Sequence, residues 1–195
     1  MSSSNNMKKI YVDGCSFTYG HGLDRKYSLA NLIGADMDFS FPGKSNYNII
    51  YDLYRNIDNF DLFVIGFTFA DRVTLWNNDI PLNVLPTKKD LDRLYQYPGG
   101  ELLEEKYKDF HMVFYTLFNE DYQNTLSDFI IDGISKILEN KNKKMVLFSM
   151  EHRNCATNLF YPRNEISTYQ SNGHFTKDGM KDLASIVTNV INGKN

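Results

Sequence analysis

The feature that most limits the fold of this chain is a near-continuous apolar run at residues 61–68, DLFVIGFT. The run lacks the polar and apolar alternation of a half-exposed strand, and it is typical of a strand buried on both faces of a parallel sheet. Parallel strands need crossover connections, which helices usually supply. The run therefore predicts an α/β fold in which helices cover both faces of the sheet.

Other segments alternate in the order that such a fold requires. Further strands are predicted at residues 10–13, 38–41 and 145–149. Helices are predicted at residues 27–33, from about residue 45, after residue 120 and after Thr176. Strands separated by helices imply right-handed crossovers and a three-layer α/β/α sandwich around a mostly parallel, doubly wound, flavodoxin-like sheet.

Apolar residues recur with the helical period in three of these helices, and they predict which face packs inward. The predicted inward positions are Tyr47, Ile50, Leu53, Tyr54 and Ile57 in the first of the three, Leu126, Phe129, Ile130, Ile134, Ile137 and Leu138 in the second, and Leu183, Ile186, Val187, Val190 and Ile191 in the last. Thr176 is predicted to be the N-cap of the last helix.

A serine follows the first predicted strand inside a glycine-rich turn. Residues 8–23 read KKIYVDGCSFTYGHGL, so that Gly14, Gly20 and Gly22 surround Ser16. Open α/β sheets bind their ligands at the carboxyl ends of the strands, where this turn would present a hydroxyl and several backbone N–H groups. Ser16 is therefore the first candidate for catalysis. A purely structural turn is the alternative.

A histidine lies in a loop near the other end of the chain. His174 stands in SNGHFTKDGM, residues 171–180, directly ahead of the last predicted helix. A loop histidine is often only a solvated side chain, but one that reaches a serine can serve as its general base. The two residues together indicate nucleophilic catalysis.

Several segments resemble the sequence blocks of SGNH (GDSL-type) hydrolases, especially the divergent GCSF-type members found in phages and bacteria. GCSFT at residues 14–18 resembles the block that holds the nucleophile, with Cys15 where better-known members have aspartate. FPGKSN at residues 41–46 and VIGFT at residues 64–68 resemble the second and third blocks. The likeness spans nearly the whole chain and implies the fold and the ester-hydrolysing activity of that family, with no cofactor and no metal.

The same resemblance assigns roles to single residues. It implies that Ser16 is the nucleophile and that His174 is the base. It implies an oxyanion hole made by the backbone N–H groups of Ser16 and Gly43, with Thr68 or Asn46 as a further donor. Thr68 replaces the asparagine of the family, and it can donate only through a shorter hydroxyl.

The aspartate that the family carries two or three residues ahead of the histidine is missing. Ser171 and Asn172 stand at those positions. An amide or a hydroxyl can orient an imidazole, but it cannot stabilise the charged ring as a carboxylate does. Glu151, which follows the predicted strand at 145–149, is another candidate partner, and a backbone carbonyl is a further one.

Length, charge and cysteine content limit the classes of protein to which the chain can belong. The 195 residues suit one domain, predicted at residues 8–195 behind a disordered polar tail at residues 1–7. A net charge of −3 without a long basic block argues against nucleic-acid binding. Cys15 and Cys155 lack the spacing of metal ligands, which favours a reducing compartment. Neither a secretory signal nor a membrane-spanning stretch is predicted, so we expect a cytoplasmic protein, or a virion-associated one if a phage encodes it.

Residues 69–120 form a long insertion between two predicted strands. Arg72 and Trp76 in this insertion are candidate substrate-binding residues, because loops after sheet strands often carry binding groups. The alternatives are an ion pair of Arg72 with Asp71 or Asp79, and an insertion whose aromatic residues only close a small satellite core.

Two functional hypotheses follow. In the first, the chain is a serine esterase whose substrate is a small-molecule or glycan ester; the habit of the family implies small acyl groups, often acetyl groups on carbohydrate. In the second, the changed aspartate and asparagine positions mark a degenerate site, and the chain is a binding or virion-associated module. An ordinary flavodoxin-like nucleotide binder is disfavoured because no phosphate-binding glycine pattern follows the first strand. The oligomeric state is not predicted.

Overall fold

The computed structural model describes residues 8–77, 80–84, 119–171 and 173–194. The strands are β1 (Ile10–Gly14), β2 (Met37–Asp38), β3 (Leu62–Phe67), β4 (Val73–Asn77), β5 (Ile80–Val84) and β6 (Lys144–Ser149). The helices are α1 (Ser16–Tyr19), α2 (Leu29–Ile33), α3 (Asn46–Asn56), α4 (Glu120–Asn140), α5 (Pro162–Glu165) and α6 (Lys177–Ile191), and a 3₁₀ turn spans Arg25–Tyr27. The predicted tail at residues 1–7 and most of the predicted insertion lie outside the described residues.

Four strands form a parallel sheet in the order β2-β1-β3-β6. All six residues of β3 are buried, because this strand is paired on both edges and covered on both faces. The sequence prediction of a doubly buried central strand is therefore confirmed. The chain moves from β1 to β2 on one side and then to β3 on the other, so a topological switch point lies between β1 and β3. Ligands of open α/β sheets bind at such points.

Helices cover both faces of this sheet. One face packs against α2 and α6 through a core that includes Val12, Val64, Phe148, Leu29 and Leu183. The other face packs against α3 and α4 through a core that includes Tyr11, Phe63, Ile49, Leu53 and Ile131. Alternate residues of each strand point to opposite faces, so neighbouring positions such as Tyr11 and Val12 enter different cores. The predicted three-layer α/β/α sandwich is confirmed.

Helix ends follow the sequence closely. Thr176 caps α6, since its side chain accepts a hydrogen bond from the backbone N–H of Gly179, as predicted. Ser45 caps α3 in the same way through the N–H of Asn48. Ser28 caps α2 and thereby divides the predicted helix at residues 27–33 into a 3₁₀ turn and a shorter α-helix.

Two other predicted elements need correction. The strand predicted at residues 38–41 is β2 at Met37–Asp38, which pairs with β1 over two residues only. The predicted face of α4 was only partly right: Ile134 and Leu138 are buried, whereas Phe129 is 75% exposed and Ser127 and Ile131 take part in the buried stripe. Small serines let a helix approach the sheet closely, and an apolar pattern that ignores them selects a rotated face.

The predicted face of α3 was also only partly right, since Leu53 and Ile57 are buried but Tyr54 is not. Ile49 and Leu53 are buried together with Asn46 and Asn48, whereas Tyr54 is 61% exposed. Asn46 is drawn inward by hydrogen bonds near the end of β3, and these bonds fix the rotation of the helix.

The strands β4 and β5 follow β3 as an antiparallel hairpin at the start of the predicted insertion. None of the helices in the described part of the chain has the length and apolar character that crossing a bilayer requires.

Candidate active site

Ser16 lies where β1 passes directly into α1. It is the first residue of this short helix, it is 5% exposed, and its carbonyl accepts hydrogen bonds from the N–H groups of Gly20 and His21. Gly20 adopts a left-handed conformation with φ of 74°, which a residue with a side chain rarely adopts, and it ends the helix after one turn. The strand therefore delivers Ser16 to the carboxyl edge of the sheet, as predicted.

Two glycines let the chain pack tightly beneath Ser16. A Cβ atom at Gly14 would collide with the side chain of Thr18 and lie 2.9 Å from the carbonyl oxygen of Gly66. A Cβ atom at Gly66 would collide with Thr18 as well and lie 2.5 Å from Cζ of Phe148. The ends of β1 and β3 therefore approach the turn of Ser16 more closely than any larger residue would allow.

His174 is brought to the same edge from the far end of the sequence. Its ring stacks on the ring of Phe17, the residue after Ser16, with the centroids 4.8 Å apart. The ring centroid of His21 lies 5.0 Å from that of His174. The carbonyl of His174 accepts a hydrogen bond from the N–H of Gln170, which fixes the loop ahead of α6. The direct pairing of Ser16 with His174 stays a prediction.

The turn that contains Gly43 lies against the end of β1. The N–H of Phe41 donates to the carbonyl of Gly14, and the N–H of Lys44 closes the turn by donating to the carbonyl of Phe41. Gly43 itself has φ of 85°, the left-handed region that favours glycine. The backbone of the second block is therefore positioned next to the block of Ser16.

A buried charge cluster ties these two blocks together. Lys44 Nζ lies 2.6 Å from Asp13 Oδ1 and 2.6 Å from Asp52 Oδ2, and it donates to the carbonyl of Phe39 at 3.0 Å. The hydroxyl of Tyr11 donates to the other oxygen of Asp13 at 2.9 Å. Sequence reasoning missed this cluster. The available signal was a lysine inside the apparent second block and an aspartate at the end of a buried strand.

Burial dominates the electrostatics of this cluster. It raises the pKa of Asp13 to about 6, although Lys44 and the Tyr11 hydroxyl both act to lower it. Burial, together with the neighbouring Asp13 carboxylate, also raises the pKa of Tyr11. Both shifts follow from the cost of holding an anion away from water.

Asn46 and Thr68 are joined through the backbone. The side-chain oxygen of Asn46 accepts from the N–H of Thr68 at 2.8 Å, and its amide donates to the carbonyl of Thr68 at 3.0 Å. Arg153 donates to the same carbonyl at 2.8 Å. The hydroxyl of Thr68 is buried and has no hydrogen-bond partner among the described residues. Hydrogen bonds therefore join the second and third blocks, and the hydroxyl of Thr68 is a donor without a partner in the described part of the chain.

The candidate partners of the histidine lie in different places. Glu151 is part-buried and accepts from Arg153 at 2.7 Å and from the N–H of Ala70 at 3.2 Å, so its carboxylate is engaged with the loop after β3. Ser171 is exposed in the turn ahead of His174. Asn172 lies outside the described residues. The role of each as an orienting group stays a prediction.

Arginines and aromatic rings form one wall of the site. The guanidinium of Arg72 lies 5.5 Å from the ring centroid of Phe69, and it donates to the carbonyl of Lys44 at 3.5 Å. Arg163, which sequence reasoning missed, lies 5.3 Å from the same ring and 5.4 Å from the ring of Phe17. Trp76 belongs to β4, and its side chain lies outside the described part of the structure.

Comparison with solved structures bears on the fold. The esterase EstA from Pseudoalteromonas sp. has a TM-score of 0.50 at 10% identity, over 95% of this chain and all of that one. A lipase/acylhydrolase from Enterococcus faecalis has a TM-score of 0.45 at 16% identity, with 96% and 97% of the two chains covered. An acetylxylan esterase from Geobacillus stearothermophilus, Axe2, has a TM-score of 0.35 at 13% identity, with 92% of each chain covered. No protein-family model and no curated protein matches the chain.

The sheet topology and the similarity to EstA define the class of fold. The parallel sheet with helices on both faces is an SGNH-like α/β fold. The comparison with EstA, an esterase, covers the whole of that chain.

Proposed function

We propose that this protein is a serine acyl hydrolase of the SGNH type, in which Ser16 attacks a small acyl ester and His174 acts as the base. The observation that carries the proposal is the convergence of two distant segments. Ser16 stands at the switch point between β1 and β3, and the ring of His174 stacks on the adjacent Phe17. No packing requirement of the fold by itself calls for a serine and a histidine at that edge.

The proposed chemistry uses the groups already described. The hydroxyl of Ser16 adds to the acyl carbonyl while His174 takes its proton and later returns it to the leaving alcohol. The backbone N–H groups of Ser16 and Gly43, with the unused hydroxyl of Thr68, bind the negative oxygen that forms. Asn46 supports this arrangement chiefly by holding the backbone of Thr68, since both ends of its amide are bound there.

No aspartate stands two or three residues ahead of His174 to orient its ring. Ser171, Asn172 or Glu151 is the proposed orienting group, and stacking on Phe17 limits the rotation of the ring. We expect slow turnover on simple esters, because loss of a charged partner lowers the rate of such a catalytic unit by up to about 10⁴-fold. The acyl group is proposed to be small, such as acetyl on a carbohydrate or a similar alcohol.

The experiment is labelling with a fluorophosphonate followed by mass mapping, together with hydrolysis of p-nitrophenyl acetate. We expect the label on Ser16, and a fall in kcat of at least about a thousandfold in both Ser16→Ala and His174→Ala, because the two residues act as one unit. Ser185→Ala, on the exposed face of α6, is the matched control and should keep the full rate. Equal rates in wild type and Ser16→Ala would overturn the proposal.

That outcome would favour the second candidate, a binding or virion-associated module that retains the fold. The observation in its favour is the pair of changed positions: Thr68, fully buried, replaces the side-chain amide donor, and Ser171 and Asn172 replace the acid. A single domain at residues 8–195, a cytoplasmic location and the absence of nucleic-acid partners remain predictions.

A further inference from the structure

Two arginines lie close to the ring of Phe69 at the edge of the candidate active site. The guanidinium carbons of Arg72 and Arg163 lie 5.5 and 5.3 Å from the centroid of Phe69. A guanidinium near an aromatic face is held by the ring quadrupole, which positions the cation without neutralising it. The ring of Phe69 therefore holds both cations in place without neutralising either charge.

Neither arginine is paired with an acid in the described structure. The ion pairs found within residues 8–77, 80–84, 119–171 and 173–194 have N–O distances of up to 4.0 Å. None of them involves Arg72 or Arg163. Arg72 Nε is buried and donates to nothing in that part of the chain. Glu151, an acid that lines the adjoining pocket, is already compensated by Arg153 at 2.7 Å.

A pocket opens at the same place. Its volume is about 350 Å³, and its lining includes Phe69, Glu151, Tyr161, Arg163 and Asn164. The pocket adjoins the catalytic groups, because Phe69 contacts Phe17 edge-on with the centroids 6.4 Å apart, and Phe17 stacks on His174. A ligand in this pocket would contact the guanidinium of Arg163, whereas Arg72 lies outside the lining, and the rings of Phe69 and Phe17 connect the pocket to His174.

We propose that Arg163 binds an anionic oxygen group, a carboxylate or a phosphate, carried by the ester that this protein hydrolyses, and that Arg72 adds a second positive charge beside the same ring of Phe69. A guanidinium presents two parallel N–H donors that match the two oxygens of such a group. This inference rests on the proposed acyl hydrolase function, and it restricts the substrate to esters with a negative charge in either the acyl or the alcohol part.

The test compares matched esters that differ only in charge. 4-Acetoxybenzoate and its neutral methyl ester place the charge in the alcohol part, and 4-nitrophenyl hydrogen glutarate and its methyl ester place it in the acyl part. We expect the wild type to prefer the anionic member of at least one pair. Arg163→Gln should lower kcat/KM for that member by about tenfold, about 1.4 kcal/mol, and change the neutral member less than about twofold.

The matched control is Arg55→Gln. Arg55 is also an exposed arginine over an aromatic ring, 5.6 Å from the ring centroid of Tyr51 on α3, and its loss should leave both esters unaffected. Arg72→Gln should act in the same direction but more weakly, because Arg72 does not line the pocket. A wild type with no preference for either anionic ester, or a preference that survives in Arg163→Gln, would overturn the inference.

A binding measurement separates this inference from the proposed function. 4-Acetamidobenzoate has an amide in place of the ester and resists hydrolysis, so calorimetry can measure its affinity for a catalytically inactive protein. We expect Arg163→Gln to weaken its binding about tenfold. The arginine site would be overturned if wild type and Arg163→Gln bound this anion equally, or if neither bound it. A wild type that binds the anion through Arg163 but hydrolyses no ester would overturn only the hydrolase proposal.

Discussion

Lys44 carries its charge into the protein interior, where 3% of its side chain is exposed. The energetic cost of such burial is high unless the charge is paired and fully hydrogen-bonded. The ammonium group of Lys44 is paired with Asp13 of β1 and Asp52 of α3, and it donates to the carbonyl of Phe39 in the loop after β2. A single side chain thus fixes the block of Gly43 against the strand that carries Ser16. Removal of either partner would leave an uncompensated charge beside the site.

Asp13 makes the stability of the fold depend on pH. Its folded pKa is raised from 3.8 to about 6, so the folded protein binds this proton more tightly than the unfolded chain does. The stabilisation is fully present below the ordinary value and is lost as the pH rises through about 6. The free energy of unfolding of wild type relative to Asp13→Asn should therefore fall by on the order of 2 kcal/mol between about pH 4 and pH 7.

Urea unfolding of both proteins at several pH values measures this difference. Asp182→Asn, an exposed aspartate on α6, provides the control and should show no such trend relative to wild type. If the wild type gained stability relative to Asp13→Asn over the same range, the pairing with Lys44 would outweigh desolvation, and the direction of the Asp13 shift would be wrong.

At the scale of elements, polar contacts near the site set the orientation of α3, while small residues set that of α4. Asn46 and Asn48 are buried at the start of α3, and they rotate the helix away from the face that its apolar residues predict. Ser127 and Ser135 lie on the buried stripe of α4, where they permit close packing. The strands depend on small residues as well, most clearly at Gly66 in β3.

Gly66→Ala and Gly133→Ala are a matched pair of substitutions with opposite expected effects. A Cβ atom at Gly66 would lie 2.5 Å from the fully buried ring of Phe148, so this variant should lose about 1–3 kcal/mol of unfolding free energy through overpacking. A Cβ atom at Gly133 would have no heavy atom within 4 Å, and alanine should stabilise α4 by about 0.5–1 kcal/mol. Thermal or urea unfolding of both variants gives the comparison. Similar stability changes of the same sign would contradict it.

At the scale of the whole molecule, the sheet separates two cores that share no side chain among the described residues. Leu183 of α6 belongs to one and Leu53 of α3 to the other, and both are fully buried. The strands contribute alternate residues to each core, so neither core can form without the sheet. The two cores should therefore unfold together.

Leu53→Ala and Leu183→Ala test this coupling. Each should lower the free energy of unfolding by about 2–5 kcal/mol, because each leaves a cavity in a closely packed layer. Far-ultraviolet and near-ultraviolet circular dichroism should still report one coincident transition in both variants. Val190→Ala, at a position that is 37% exposed, should have a much smaller effect. Separate transitions for the two probes would show that the layers unfold independently.

The sequence by itself determined the class of fold and the segments from which the candidate site is built. The apolar run at residues 61–68, the glycines around Ser16 and the cap at Thr176 are local signals, because each depends on residues close together in the chain. The tertiary structure alone decided which faces of α3 and α4 are buried and how the distant groups meet. The Lys44 cluster, the contact of Asn46 with Thr68 and the position of Arg163 beside Phe17 and Phe69 join segments far apart in sequence. Such contacts depend on the balance of desolvation, charge pairing and close packing in the folded chain. The periodicity of apolar residues along the sequence cannot predict that balance, because it reports only on residues that are close together in the chain.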